Sequence, residues 1–323
     1  MEWWWIALLI VGFALLVKGA DWFVAGSSDI AKALKIPSII IGLTLVSMGT
    51  SMPEASVSIQ SAIKGNADIS IGNILGSNIF NTLLILGISA LFVALLIDRE
   101  MKLLDIPIMV ATYVVLALFS FVITPNVIDR LEAIAMLILF AGYMWFLFMR
   151  AKKNKIIKPE EIETEKDKKQ KPMWVSIILT IIGLAGIVGG GTLTVNYAEK
   201  IAIGLGMSQT LVGLTICAVG TSLPELVTSV VAAIKKENDI AVGNVIGSNI
   251  FNILFIVGIS ATITPLTIGS SIALGTLIDM CVMAISGVLI MLIALFSKNM
   301  KWWQGATFII LYIGYLAYII IRN

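Results

Sequence analysis

An all-α polytopic membrane protein, with ten transmembrane helices as a 5+5 inverted-topology repeat, is predicted by three features of this sequence. The 323 residues are 59% hydrophobic and only 13% charged, with a mean hydropathy of +1.00, which excludes the ordinary soluble class. Apolar runs are long enough to cross a hydrocarbon core of about 30 Å, which takes roughly 20 helical residues. A stretch of 49 residues, Gly42–Ala90, recurs without a gap at Gly213–Ala261, an offset of 171 with 28 identities. Backbone groups in lipid must be satisfied internally, so the choice is a helix bundle or a closed barrel, and continuous rather than alternating apolar runs select helices.

Charges, prolines and glycines divide the chain into spans at about 3–26, 38–63, 69–96, 103–123, 127–149, 173–196, 209–234, 239–264, 268–296 and 301–321. The first follows Met1-Glu2, lacks the basic start of a cleavable signal and is therefore expected to stay in place. Lys35 and Pro37 set off the second, Lys64-Gly65-Asn66 the third, Asp98-Arg99-Glu100 the fourth and Thr124-Pro125-Asn126 the fifth. Residues 151–172 carry both signs of charge and read as a solvated linker between halves 1–150 and 173–323. In the second half the breaks are Glu199-Lys200, Lys235-Lys236-Glu237, Pro265 and Ser297-Lys298. Trp3, Trp4, Trp5, Trp302 and Trp303 stand at span ends, where an interfacial aromatic belt accounts for them.

Basic residues supply an orientation. With the N-terminus outside, seventeen Lys and Arg fall on the inner side and four on the outer, with Lys18 within span one. That bias places both termini outside and the linker in the cytoplasm of a cell whose plasma membrane holds the chain. Five spans per half is odd, so the second copy enters the bilayer upside down relative to the first. Inverted repeats of this kind put a substrate site at the midplane on interrupted helices.

The repeated stretch is also the most polar part of the apolar chain. Its first motif is Gly49-Thr50-Ser51-Met52-Pro53-Glu54, matched by Gly220-Thr221-Ser222-Leu223-Pro224-Glu225. Pro53 lacks an N–H and clashes with the preceding turn, so carbonyls near Gly49 are freed. Thr50 and Glu54, four apart, share a helix face with Ser51 alongside. The second motif, Gly72-Asn73 with Gly76-Ser77-Asn78 and Asn81, returns as Gly243-Asn244 with Gly247-Ser248-Asn249 and Asn252. Its glycines suit close helix approach. Packing does not account for three asparagines per copy at membrane depth.

A carboxylate at the bilayer centre costs about 2.5–3.5 kcal/mol. Neither Glu54 nor Glu225 has a basic residue at matching depth, which leaves a protonated pair or a bound cation. The chain has no His and two Cys without a CxxC pattern, removing the commonest soft-metal ligands and proton relay. Carboxylates, hydroxyls, amides and carbonyls suit a hard cation, and Ca²⁺ accepts 6–8 such oxygens in flexible geometry. Two carboxylates neutralise one divalent ion, and the same oxygens can instead hold several Na⁺. Cys217 and Cys281 are expected as buried reduced thiols. Asp21 and Asp279, which have no partner at the 171-residue offset, are expected to make local hydrogen bonds or line a cavity.

Both copies resemble the α-repeats, GTSxPE and GNxxGSNxxN, of the cation/calcium exchanger superfamily, in particular its prokaryotic sodium/calcium exchanger branch. The resemblance covers all ten spans. It implies an antiporter exchanging Na⁺ for Ca²⁺ by alternating access, with spans two, three, seven and eight around the ions and spans one and six sliding past them. By that resemblance Glu54 and Glu225 bind Ca²⁺ with the carbonyls of Thr50 and Thr221. Flanking Na⁺ sites would use Ser51, Ser77, Asn81, Ser222, Ser248 and Asn252, with carbonyls near Ser47 and Ala218. Some members carry Asp where this chain has Asn252, so this site has two carboxylates rather than three, which also counts against the potassium-dependent branch. The long cytoplasmic Ca²⁺-sensing loop of eukaryotic members is missing.

Exchange of three Na⁺ for one Ca²⁺ would be electrogenic. The alternative is Ca²⁺/H⁺ antiport on the same fold, against which the absence of His counts. A serine-type intramembrane hydrolase is excluded by the lack of a His base, and aspartyl-protease signatures are absent, so no enzyme is expected. A passive channel fits duplicated broken helices less well than alternating access. The expected partners are Ca²⁺, Na⁺ and the lipid bilayer, with no resident cofactor, no nucleic acid and no obligatory protein partner.

Overall fold

The structure, a computed structural model, describes residues 3–157, 172–207, 218–269 and 272–322. Helices α1 (Trp3–Leu34), α2 (Ser38–Thr50), α3 (Met52–Ile63), α4 (Ala67–Phe92), α5 (Met101–Ile123) and α6 (Arg130–Ile157) make up the first half. The second half has α7 (Met173–Gly204), a turn at Ala218–Gly220, then α8 (Leu223–Ile234), α9 (Asn238–Ile263), α10 (Ala273–Phe296) and α11 (Trp302–Arg322).

Among the described residues eight helices are long and apolar enough to cross a membrane: α1, α4 to α7 and α9 to α11. The other two expected spans differ. Span two is two short helices broken at Ser51, whose ψ of 9° leaves the helical range, and Pro53 sits in the first turn after the break. Span seven has the matching break at Ser222, with Pro224 in the first turn of α8; its residues 209–217 lie outside the described residues. Proline is tolerated in a first turn because its missing N–H has no partner there anyway. The expected linker begins as helix, since α6 runs on to Ile157, and residues 158–171 lie outside the described residues.

Helices α1 and α7 each span 32 residues, longer than the expected 24. The charges taken as span ends mark the approach of water, and the helix carries on past them. The two pack along their length with opposite directions. Gly12 lies against Gly190 and Thr194, Gly19 against Gly183 and Ile187, and Gly26 against Ser176 and Thr180. A Cβ added at Gly183 would stand 2.5 Å from the Phe23 backbone nitrogen, and one at Gly190 the same distance from that of Leu16. Glycine is required by this approach, as small-residue seams are in membrane helix pairs.

The most buried of the long helices are α4 and α9, and hydrogen bonds between their asparagines join them. Each widens into a π-helical turn, Phe80–Ile85 in α4 and Asn252–Val257 in α9, a distortion frequent at functional sites. Around them, two short antiparallel pairings link the halves. Strand β1 (Leu95–Leu96) pairs with β4 (Asn299–Met300), and β2 (Val127–Ile128) with β3 (Leu266–Thr267). Each pairing takes one strand from either half.

Matching ion pairs clamp the last two helices of each half. Asp105 of α5 holds Arg150 of α6 at 2.6 Å, with Glu100 on the same guanidinium. Asp279 of α10 meets Arg322 of α11 through two hydrogen bonds of 3.0 Å. The local bonding expected for Asp279 is therefore present, and its counterpart is Asp105, one helical turn from the strict repeat position. Asp21 likewise has local partners, Lys18 on its own helix and Lys235 beyond α8. The expectation for Cys281 fails, since this thiol is exposed on α10. An apolar span does not say which of its residues turn outward, and Cys281 does. Cys217 lies outside the described residues.

Candidate ion-binding site

Both helix breaks fall at the centre of the bundle, beside the wide turns of α4 and α9. Glu54 opens α3 and Glu225 opens α8, each one residue after its proline, and neither side chain has any solvent exposure. The carboxylates bond across the repeat. Ser222 Oγ donates to Glu54 Oε1 at 2.9 Å, and Ser51 Oγ donates to Glu225 Oε1 at 2.8 Å. Ser77 Oγ stands 3.0 Å from Ser222 Oγ and 3.4 Å from Glu54 Oε1. Each half therefore supplies the acid that the serine of the other half addresses. Among the described residues no Lys or Arg pairs with either carboxylate.

Four asparagines join α4 to α9 beside the carboxylates. Asn81 Nδ2 donates to Asn249 Oδ1 at 3.1 Å, and Asn252 Nδ2 donates to Asn78 Oδ1 at 3.0 Å and to Ser77 Oγ at 3.3 Å. Asn78 and Asn249 have further donor contacts, to the Asn249 carbonyl and to Thr82 Oγ1. Ser248 Oγ donates to the Ser47 carbonyl at 3.4 Å. Thr50 and Thr221, just before the breaks, reach Asn244 and Asn73 of the other half. Ala218 begins the turn before the second break. The expected residues thus lie around the two helix breaks and within or just before the two wide turns. Asn73, Asn78, Asn244 and Asn249 join them, although the motif resemblance assigned them no ion. Their recurrence at the 171-residue offset is the signal that finds them.

Among the described residues, Glu54 Oε2, Glu225 Oε2, Asn81 Oδ1 and Asn252 Oδ1 are buried without a partner. Every one is an acceptor oxygen, two from each half at repeat-equivalent positions. Buried acceptors left unpaired cost about 1–3 kcal/mol each, more when charged, and native proteins rarely keep them without a reason. Four such oxygens, two of them carboxylate, call for a positive charge. Among the described residues no three His, Cys, Asp or Glu side chains cluster as a metal site, so any cation here relies on amide, hydroxyl and carbonyl oxygens to complete its shell.

A cavity of about 960 Å³ leads toward this centre from one side. Its walls include Ser77, Asn73 and Thr221 at the deep end, and Thr192, Asn196 and Glu199 of α7.

Comparison with known proteins agrees with this geometry. The family model described as sodium/calcium exchanger protein matches residues 4–149 and 175–321. The chain is 33% identical to the sodium/calcium exchanger MaX1 of Methanosarcina acetivorans, over 96% of both chains. It is 38% identical to the putative antiporter CaxA of Alkalimonas amylolytica, over 82% of each. Among solved structures, the sodium-calcium exchanger NCX_Mj soaked with 2.5 mM Na⁺ and 0.1 mM Ca²⁺ superposes with a TM-score of 0.83 at 31% identity, covering 98% of this chain and 99% of that one. Duplicated acids on broken helices, family model and whole-length likeness coincide: the chain belongs to the sodium/calcium exchanger family and is a membrane-embedded cation exchanger, not an enzyme.

Proposed function

We propose that this protein exchanges Na⁺ for Ca²⁺ across the cell membrane by alternating access, and that the exchange is electrogenic. The observation that carries the reading is the set of four buried oxygens at the centre that are unpaired among the described residues, two of them on carboxylates with no basic partner there. Ca²⁺ takes Glu54 and Glu225 with the carbonyls of Thr50 and Thr221. Na⁺ takes overlapping positions built from Ser51, Ser77, Asn81, Ser222, Ser248 and Asn252, with the carbonyls of Ser47 and Ala218. Because both loads use the same oxygens, one ion species leaves before the other binds, and that exclusion couples their movements.

Ten spans in two inverted halves form the frame of this reading. The antiparallel run of α1 against α7 supports it, as do the crosswise strand pairings and the reciprocal serine–carboxylate bonds. The positive-inside bias puts both termini outside and the linker in the cytoplasm. No resident cofactor is involved, since the ions are the cargo.

The test is ⁴⁵Ca²⁺ uptake into proteoliposomes under imposed Na⁺, K⁺ and H⁺ gradients. An outward Na⁺ gradient is expected to drive uptake, and an inside-negative potential to oppose it. Each net charge is worth about 2.3 kcal/mol per 100 mV. Uptake driven equally well by a pH gradient alone replaces Na⁺ with H⁺ as the counter-ion.

A further inference from the structure

We propose that Asn73 and Asn244 are positioning residues that fix the ion-ligating threonine of the opposite half, tightly on the shut side of the molecule and slackly on the open side. The proposal rests on the reading of the site given above. In each half the side-chain amide does the same two things. Asn73 Nδ2 donates to the Glu54 carbonyl at 3.3 Å and to Ser58 Oγ at 2.9 Å, while Asn244 Nδ2 donates to the Glu225 carbonyl at 3.4 Å and to Ser229 Oγ at 2.9 Å. With the nitrogen committed to the carboxylate-bearing helix of its own half, only Oδ1 remains, and it can only accept. In both halves it accepts from the threonine of the other: Thr50 Oγ1 to Asn244 Oδ1, and Thr221 Oγ1 to Asn73 Oδ1. One planar amide therefore ties a glutamate backbone to the threonine that precedes the opposite helix break.

The two ties differ in length with their surroundings. Asn244 is fully buried and its threonine bond is 3.1 Å. Asn73 lines the cavity and its bond is 3.5 Å, at the limit where such a contact still counts. Thr50 also has a choice. Its single proton has the Val46 carbonyl at 3.1 Å and the Ser47 carbonyl at 3.3 Å as rival acceptors. Given to Asn244, it binds the threonine across the repeat; given to Val46, it leaves the helix end self-contained. The tie thus follows whether its face is closed.

A double-mutant cycle on Ca²⁺ binding to the purified protein in Na⁺-free buffer tests this. Asn244→Ala and Thr50→Val are each expected to weaken binding about 3–10-fold, the worth of one neutral hydrogen bond. The double variant is expected to be no weaker than the poorer single one. Thr50→Ser, which keeps the hydroxyl, is expected to retain the coupling to Asn244→Ala that Thr50→Val abolishes. The cycle of Asn73→Ala with Thr221→Val is expected to show the same coupling at smaller size. Losses that multiply in both cycles overturn the proposal. So does equal affinity of Thr50→Val and wild type, which settles the matter even where an asparagine variant does not fold. Wild-type protein that binds no Ca²⁺ removes the transport reading along with this one, whereas wild-type binding with multiplying losses removes this one alone.

Discussion

The end of the molecule closed by α1 and the end approached along α7 occupy equivalent places in the repeat, yet among the described residues the cavity lined by Ser77, Asn73 and Thr221 opens at the second. Thr192 and Glu199 line that cavity. Their counterparts 171 residues earlier are Asp21 and Ser28, and both are occupied with partners. Asp21 pairs with Lys235, and Ser28 Oγ donates to Glu237 Oε1 at 2.6 Å. The residues opposite, Lys235 and Glu237, correspond to Lys64 and Asn66. Closing the α7 end by the same motion would bring Thr192 toward Lys64 and Glu199 toward Asn66, a pairing without the Asp–Lys ion pair. A near-symmetric frame thus carries unequal latches, and the stronger one is fastened.

Four measurements break or sharpen this comparison. The largest effect concerns the clamps. Asp105 is fully buried and its partner Arg150 nearly so, whereas Asp279 and Arg322 are partly exposed. Asp105→Asn should cost about 3–5 kcal/mol, the usual result of breaking a buried pair, and Asp279→Asn roughly 1 kcal/mol or less. Thermal unfolding in detergent reads both, and equal losses would mean that burial does not separate the two halves here. At the centre, by contrast, the halves should behave alike. Glu54→Gln and Glu225→Gln are each expected to lower Ca²⁺ affinity more than about 100-fold, beyond the 10–100-fold typical of groups behind the ligands. A tenfold difference between them would break the equivalence.

The glycine seam shared by α1 and α7 comes next. Gly183→Ala drives a methyl into the Phe23 backbone, while Gly189 faces open space. The first should destabilise by about 1–3 kcal/mol and slow exchange; the second should stay within about 0.5 kcal/mol. Matching behaviour of the two variants would show that the seam is not tight. The smallest effect is that of the latch. Asp21 and Lys235 are about one-third exposed, so the pair is worth roughly 0.5–1 kcal/mol. Asp21→Asn should therefore shift the balance toward the other face about 2–5-fold. Thiol labelling of Thr192→Cys, with Cys217 and Cys281 replaced, should fall in ion-free detergent solution, by at most that factor. Unchanged labelling would show that Asp21 does not hold the α1 end shut.

Much of the centre was legible because polar side chains are expensive in an apolar chain and therefore conspicuous. Pro53 and Pro224 announced the helix breaks, and Glu54 and Glu225 announced an uncompensated charge. What escaped was relational. The kinship of Asp279 with Asp105 is displaced by one helical turn, so a strict offset leads to Ile108 instead. Gly12, Gly19 and Gly26 recur every seven residues in α1, but their meaning needs Gly183 and Gly190 opposite them. Which face is open was not legible at all, because it depends on how side chains such as Asp21 and Lys235 meet across the bundle.

The crosswise strands have one more consequence. The β1–β4 and β2–β3 pairings exchange under the repeat, since β3 stands where β1 does and β4 where β2 does. A half-length chain inserted in both orientations would meet every one of these backbone bonds as a two-fold homodimer. On the inverted-repeat reading proposed above, the molecule would be a dual-topology dimer whose subunits are joined in one chain, and joining them is what would allow the two latches to become unequal.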